Sequence, residues 1–138
     1  MTKQEIIAKV TALNFPKGSY VVFGSGPLAL HGVREANDID LLVSKELFAE
    51  LKKAGWQLID KGLNDNPLVR DVFEAHTNWS FSPYNPTLEH LLANAMVMDG
   101  IPFASLEEVR KWKIASGGSK HLHDVSLIDA YLKKLTTR

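Results

Sequence analysis

The stretch from Gly24 to Val43, GSGPLALHGVREANDIDLLV, holds residues whose types and spacing could do chemistry. Asp38 and Asp40 stand two apart ahead of the apolar run Leu41-Leu42-Val43. In a strand that spacing sends both carboxylates out of one face while Ile39 points into the opposite layer. Two close anions repel, and a divalent cation is the simplest device that removes the cost. An isolated Asp-x-Asp is ordinarily a solvated strand end. Here, however, the turn Gly24-Ser25-Gly26-Pro27 opens a helix fourteen residues upstream of Asp38. Such a turn presents backbone N–H groups and a helix N-terminus to an anion, so phosphate and metal would be neighbours.

Those residues need elements to hold them. Ile6, Ile7, Val10 and Leu13 recur at helical spacing, so residues 3–13 read as an amphipathic helix that Asn14, Pro16 and Gly18 stop. Tyr20 to Phe23 reads as a short buried strand, and the glycine turn leads into a helix through Leu30 with Pro27 in its first turn. After a polar link comes a strand over 38–43, then Ser44 as N-cap of a helix over Lys45 to Ala54. Gln57 to Asp60 and Asp71 to Phe81 read as strands separated by a loop over 62–67; in the second, Glu74, His76 and Asn78 share a face by alternation. Asp99-Gly100 marks a hairpin between Met96-Val97-Met98 and Ile101-Pro102-Phe103. Ser105, three residues before Glu108, resembles a capping box for a helix to about Ala115. Gly117-Gly118 breaks that helix, and a last one, about Lys120 to Leu135, buries Val125, Ile128 and Leu132.

The order strand, Gly-Ser, helix, Arg-containing link and Asp-x-Asp on the next strand resembles the signature of the nucleotidyltransferase superfamily, which includes DNA polymerase beta and the toxins of abortive-infection systems. The resemblance covers residues 18–43 and is diffuse beyond them. It implies an α+β fold, a mixed β-sheet flanked by helices, with one domain over residues 1–138. The implied activity is magnesium-dependent transfer of a nucleoside monophosphate from a nucleoside triphosphate to a hydroxyl acceptor. Gly24 and Ser25 would seat the triphosphate, and Arg34 would be the link arginine that orders the link or touches phosphate. Asp38 and Asp40 would hold Mg2+ with a third carboxylate from an adjacent strand, for which Glu74 is the candidate and Asp71 the reserve. Two magnesium ions roughly 3.5–4 Å apart would clamp the attacking and leaving oxygens. The later segment KWKIASGGSKHLHDVSLI resembles a C-terminal pattern of small members. There Lys113 and Lys120 fall on lysine positions that neutralise the leaving pyrophosphate and Asp124 on the second Asp, whereas His121 stands where Asp is usual. The alternative is a noncatalytic descendant of that fold, a nucleotide-sensing or protein-binding module such as one half of a two-component system.

Composition narrows the classes. With 138 residues, 45% hydrophobic and 23% charged, the chain has ordinary globular proportions and the length of one domain. Sixteen basic residues balance sixteen acidic ones, which disfavours a protein that grips long nucleic acid by counterion release. Twelve acids against nine bases fall in residues 1–104, and seven bases against four acids in 105–138, so a basic tail could face an anion. The absence of cysteine excludes a disulfide scaffold and a thiol nucleophile. The N-terminal decapeptide lacks a secretory h-region and no apolar run reaches the ~18 residues of a membrane span, so the expected location is cytoplasmic. His121 and His123, two apart in a helix, point to different faces and make no ready metal site. His31 reads as a hydrogen-bonded boundary residue and His76 as a group that could approach substrate beside Glu74; Trp56, Trp79 and Trp112 could stack on a base, Trp79 before the others, although large aromatics more often belong to the core or its edge. The chain has neither a Gly-x-Ser-x-Gly elbow around Ser25 nor a Gly-x-Gly-x-x-Gly fingerprint, which disfavours serine hydrolase and dinucleotide folds.

Overall fold

Hydroxyl side chains set where most of the helices begin. A computed structural model of the chain describes residues 1–60, 66–79 and 83–136. In chain order its elements are α1 (Lys3–Leu13), β1 (Tyr20–Phe23), α2 (Gly26–Leu30), β2 (Ile39–Val43), α3 (Lys45–Lys53), β3 (Gln57–Leu58), β4 (Leu68–Arg70), β5 (Phe73–His76), α4 (Leu88–Ala93), β6 (Met96–Met98), β7 (Ile101–Phe103), α5 (Leu106–Ser116) and α6 (Ser119–Thr136). Thr2 and Glu5 form a reciprocal capping box on α1, while Ser44, Thr87 and Ser105 accept the N–H three residues on at the heads of α3, α4 and α5.

The strands form one sheet in the order β3-β4-β5-β2-β1-β7-β6. β2 is central, antiparallel to β1 and parallel to β5, and β1 is parallel to β7; the outer pairs are antiparallel. Helices cover both faces, so the inner strands need apolar residues in both directions, and all four residues of β1 are buried. Val22, Ile39, Leu41, Val43 and Phe73 share one core with Ile6 and Val10 of α1 and Leu47 and Leu51 of α3. Val21, Phe23 and Leu42 pack on the other face with Leu91 of α4, Leu106 and Val109 of α5 and Ile128 of α6. By alternation Asp40, Glu74 and His76 lie on this second face. No helix among the described residues is long and apolar enough to cross a membrane.

Several elements differ from the sequence-based expectation. The strand expected from Asp38 begins at Ile39, whose N–H donates to Val72 O at 2.8 Å as the first rung toward β5. The strand expected over Gln57 to Asp60 is Gln57–Leu58 alone. In place of one strand from Asp71 there is a hairpin: Arg70 pairs with Phe73 across a two-residue turn in which Asp71 takes a φ of 52°. Residues 80 and 81 of that expected strand, and 62–65 of the expected loop, lie outside the described residues. α4 was not expected, since six residues give too little periodicity to read. In the last helix Val125 and Ile128 are buried as expected, while Leu132 is only half-buried.

One buried acid ties the helical layer together. Glu108 on α5 is 4% exposed; Tyr84 Oη donates to its Oε2, and His90 Nε2 on α4 lies 2.8 Å from its Oε1. Burial pushes this carboxyl up, but the Tyr84 and His90 bonds and the Lys111 charge outweigh it and hold it below the ordinary glutamate value. Tyr84→Phe strips a buried carboxylate oxygen of its donor. It is expected to cost about 1.5–3 kcal/mol, read as a lower urea midpoint at unchanged m-value; a change under about 0.5 kcal/mol would mean that the phenol carries no such load.

Candidate active site

Strand register assembles the acids. Asp40 on β2 is the partner of Phe23 on β1 and of Glu74 on β5. Register partners share a face and neighbouring strands lie about 4.8 Å apart, so the two carboxylates stand side by side. His76 follows Glu74 by two residues on the same face. One donor atom from each of Asp40, Glu74 and His76 lies within 4.8 Å of the other two, and His76 Nε2 is 3.6 Å from Glu74 Oε1. Trp79 sets the His76 ring edge-to-face, with centroids 4.4 Å apart at 82°. Trp79 itself is wedged between Phe23 and Trp112, at 5.1 and 5.2 Å, and is 7% exposed. Trp79 thus takes the core-edge place usual for a large aromatic and forms a wall of the site, packed against Phe23, Trp112 and His76.

The glycine turn lies against the same acids. Gly24, directly after β1, has a φ of 65°, and a Cβ there would collide with Asp40 Oδ2. Glycine is required twice over, by conformation and by the carboxylate that fills the place of its side chain. Ser25 N-caps α2 without a side-chain bond to that helix; its Oγ instead accepts from Arg34 Nη2 at 2.8 Å.

Behind the turn lies a buried ionic cluster. Arg34 grips Asp124 of α6 with two bonds of 2.8 Å, from Nε and Nη2, and Lys113 Nζ of α5 is 3.0 Å from Asp124 Oδ2. Lys113 and Asp124 are each 2% exposed. Burial pushes the Asp124 carboxyl up, but the bonds and charges of Arg34 and Lys113 prevail and hold it at about 2. Burial draws the Lys113 ammonium below the ordinary lysine value against the pull of Asp124, and the charge of Asp40 is also felt there. Arg34 is raised by its bond to Asp124, with a smaller contribution from the charge of Asp38. Two cations, Arg34 and Lys113, therefore share one carboxylate.

Of the residues expected to act, Asp40 and Glu74 come together, and Gly24 touches Asp40. Ser25, Arg34 and Lys113 converge on or around Asp124. Asp38 lies half-buried in the bend before β2, outside the Asp40–Glu74–His76 group. Asp71 sits exposed in the β4–β5 turn, and Lys120 is exposed in the first turn of α6. His121 Nδ1 is 3.4 Å from Lys113 Nζ, His123 is exposed, and His31 Nδ1 meets Tyr131 Oη at 3.3 Å, in keeping with a boundary role. Sequence reasoning set His76 beside Glu74 by alternation but did not count it among the metal ligands. The depth of Asp124 had no signal beyond its place in the C-terminal pattern.

No family model and no curated protein matches the chain. A solved structure similar to it is the crystal structure of ANT(2")-Ia in complex with adenylyl-2"-tobramycin, at 15% identity and a TM-score of 0.53, covering 94% of this chain and 86% of that one. That protein is an aminoglycoside nucleotidyltransferase. The chain has a nucleotidyltransferase-like fold. Its α+β architecture, a mixed sheet flanked by helices, agrees with the expectation drawn from residues 18–43.

Two outcomes test how this nucleotidyltransferase-like fold holds its site. The Asp124 carboxyl falls from an ordinary 3.8 to about 2 on folding, so its contribution is complete above pH 4 and is lost as pH drops toward 2; the shift corresponds to roughly 2 kcal/mol. Asp124→Asn should flatten that acid limb of the stability profile and, by leaving Arg34 and Lys113 uncompensated, cost about 3–5 kcal/mol at neutral pH; denaturant melts at pH 2.5 to 7 measure both. Gly24→Ala should lower stability by at least roughly 1–2 kcal/mol for the left-handed backbone alone. A loss confined to that backbone cost would show that Asp40 yields its position freely, and a larger one measures its resistance.

Proposed function

We propose that residues 1–138 act as one domain that transfers a nucleoside monophosphate from a nucleoside triphosphate to a hydroxyl acceptor, with a divalent cation, Mg2+ being the ion expected from the resemblance. The observation that carries this reading is the placement of Asp40 and Glu74 on adjacent strands, under the Gly24 turn and beside the positive charge of Lys113 and Arg34. The donor set suits a dication: two carboxylates and an imidazole nitrogen converge on one face. When bound, such an ion polarises phosphate oxygens and offsets the charge that develops on them.

The chain's own residues supply the rest. Asp40 and Glu74 hold the ion, and Asp38, two residues upstream at the mouth of β2, is the outer carboxylate of the set. The acceptor oxygen bonds to the α-phosphorus while the bond from that phosphorus to its bridging oxygen breaks, and the pair of electrons leaves with pyrophosphate. The acceptor proton passes to a carboxylate, for which Glu74 is placed. Ser25 accepts a bond from Arg34, which leaves its own O–H hydrogen to donate to a phosphate oxygen. Backbone N–H groups of the Gly24-Ser25 turn, with Lys113 behind and Lys120 at the rim, meet the charge of the departing pyrophosphate.

A second reading has an observation of its own. Arg34 and Lys113 are both engaged by Asp124, and the Ser25 hydroxyl by Arg34, so the groups assigned to phosphate already have protein partners. That arrangement favours a noncatalytic module that senses a nucleotide or binds a protein. Incubating the chain with each labelled nucleoside triphosphate, Mg2+ and pools of RNA, small metabolites and proteins separates the two. Pyrophosphate release that falls by at least about 100-fold in Asp40→Asn supports transfer. Binding of nucleotide without turnover assigns the chain to the second reading, and release that persists in Asp40→Asn removes the carboxylate from the chemistry.

A further inference from the structure

We infer that His76 is an inner ligand of the metal centre and that it makes the site select a first-row transition-metal dication, Mn2+ in the first instance, over Mg2+. The inference rests on the reading of Asp40 and Glu74 as metal ligands and goes beyond it in naming the third donor and the ion class. Three features carry it. His76 Nε2 faces the acids, 3.6 Å from Glu74 Oε1, and a donor atom of His76 falls with donor atoms of Asp40 and Glu74 inside a 4.8 Å circle. The ring is 9% exposed and fixed edge-to-face by Trp79, which itself stacks against Phe23 and Trp112, so little freedom is lost when it ligates. Backbone register places the three residues together as well: Asp40 and Glu74 are register partners, and His76 is one pleat further along β5, opposite buried Leu42.

Donor chemistry then decides the ion. Mg2+ is a hard ion that prefers oxygen, keeps several waters and gains little from an imidazole. Affinity for nitrogen donors rises along the series from Mn2+ toward Cu2+, and Mn2+ accepts carboxylate and imidazole together in the six-coordinate geometry that a phosphate ligand can complete. A carboxylate in place of His76 would favour the hard ion; a neutral imidazole also leaves one negative charge fewer around the metal. The missing charge weakens both dications alike, and the nitrogen donor weakens Mg2+ relative to Mn2+.

The test uses the full chain without nucleotide. Free Mn2+ is followed by electron paramagnetic resonance during titration, Mg2+ is added as competitor, and pulsed measurements on the bound Mn2+ look for modulation from a directly coordinated nitrogen. The expected results are one Mn2+ site displaced only by at least about tenfold more Mg2+, with nitrogen modulation present. His76→Gln should abolish the modulation and weaken Mn2+ by about tenfold or more, and His76→Asp should narrow the preference for Mn2+ and remove the modulation while retaining metal. Should either variant melt prematurely, the wild-type spectrum decides alone. Absence of a Mn2+ site, Mn2+ bound without nitrogen modulation, or equal competition by Mg2+ overturns the inference; the last two are what a simple His76–Glu74 ion pair would give. Pyrophosphate release is scored separately, so an inert chain that binds Mn2+ through nitrogen sinks the transferase reading alone, and an enzyme active on carboxylate-bound Mg2+ sinks this one alone.

Discussion

The site depends on the contact between the Asp40 carboxylate and the bare backbone of Gly24. β2 is the middle strand of the sheet, and its register with β1 brings residue 40 opposite residue 23, so the chain leaving β1 must turn directly over the acid. A side chain at residue 24 would meet Asp40 Oδ2. A glycine at that point lets an anion sit under a turn whose N–H groups are the natural partners of a second anion. The sheet thus places repulsive charges next to each other, and core packing on both of its faces holds them there.

That concentration of negative charge is answered from the helical layer. Lys113 and Arg34 are cations brought close to Asp40 and Asp38, and a buried Lys113 would be costly without a partner. Asp124 supplies it and keeps its own proton off down to about pH 2. Because one carboxylate serves two cations, the cluster is not neutralised internally. Beyond Asp124, the next acid whose charge is felt at Lys113 is Asp40 of the sheet, and at Arg34 it is Asp38.

Much of this was readable where local chemistry and global fold agree. β1, the glycine turn, the capped helix from Lys45 and the Asp99-Gly100 hairpin each carry a signal of their own, and each is present. The hairpin of β4 and β5 was missed because its strands are three and four residues long and Asp71-Val72 is a turn without glycine, so Asp71 took the left-handed place that an Asn-Gly pair would have advertised. Asp38 was read onto the strand because alternation cannot tell where a ladder's first hydrogen bond falls; here it falls on Ile39. His76 was visible as a face-mate of Glu74, but its closeness to Asp40 comes from the parallel pairing of β5 with β2, which no local pattern records. Buried Lys113 and Asp124 defy the prior that charged residues stay outside, and only their mutual pairing makes the exception affordable.

The pairing also explains how the C-terminal helices α5 and α6 reach the glycine turn. Gly117 and Gly118 have φ values of 72° and 89°, and that left-handed step folds α6 back along α5. Lys113, one turn before the break, can then face Asp124, little more than one turn after it. Arg34 lies ninety residues from Asp124 in sequence, yet through Ser25 it joins the ionic cluster to the turn over Asp40. A helix hairpin with no contribution to the strand order thereby fixes the link between α2 and β2. Side chains at Gly117 or Gly118 would act at a distance, by spoiling the left-handed step on which the meeting of Lys113, Asp124 and Arg34 depends.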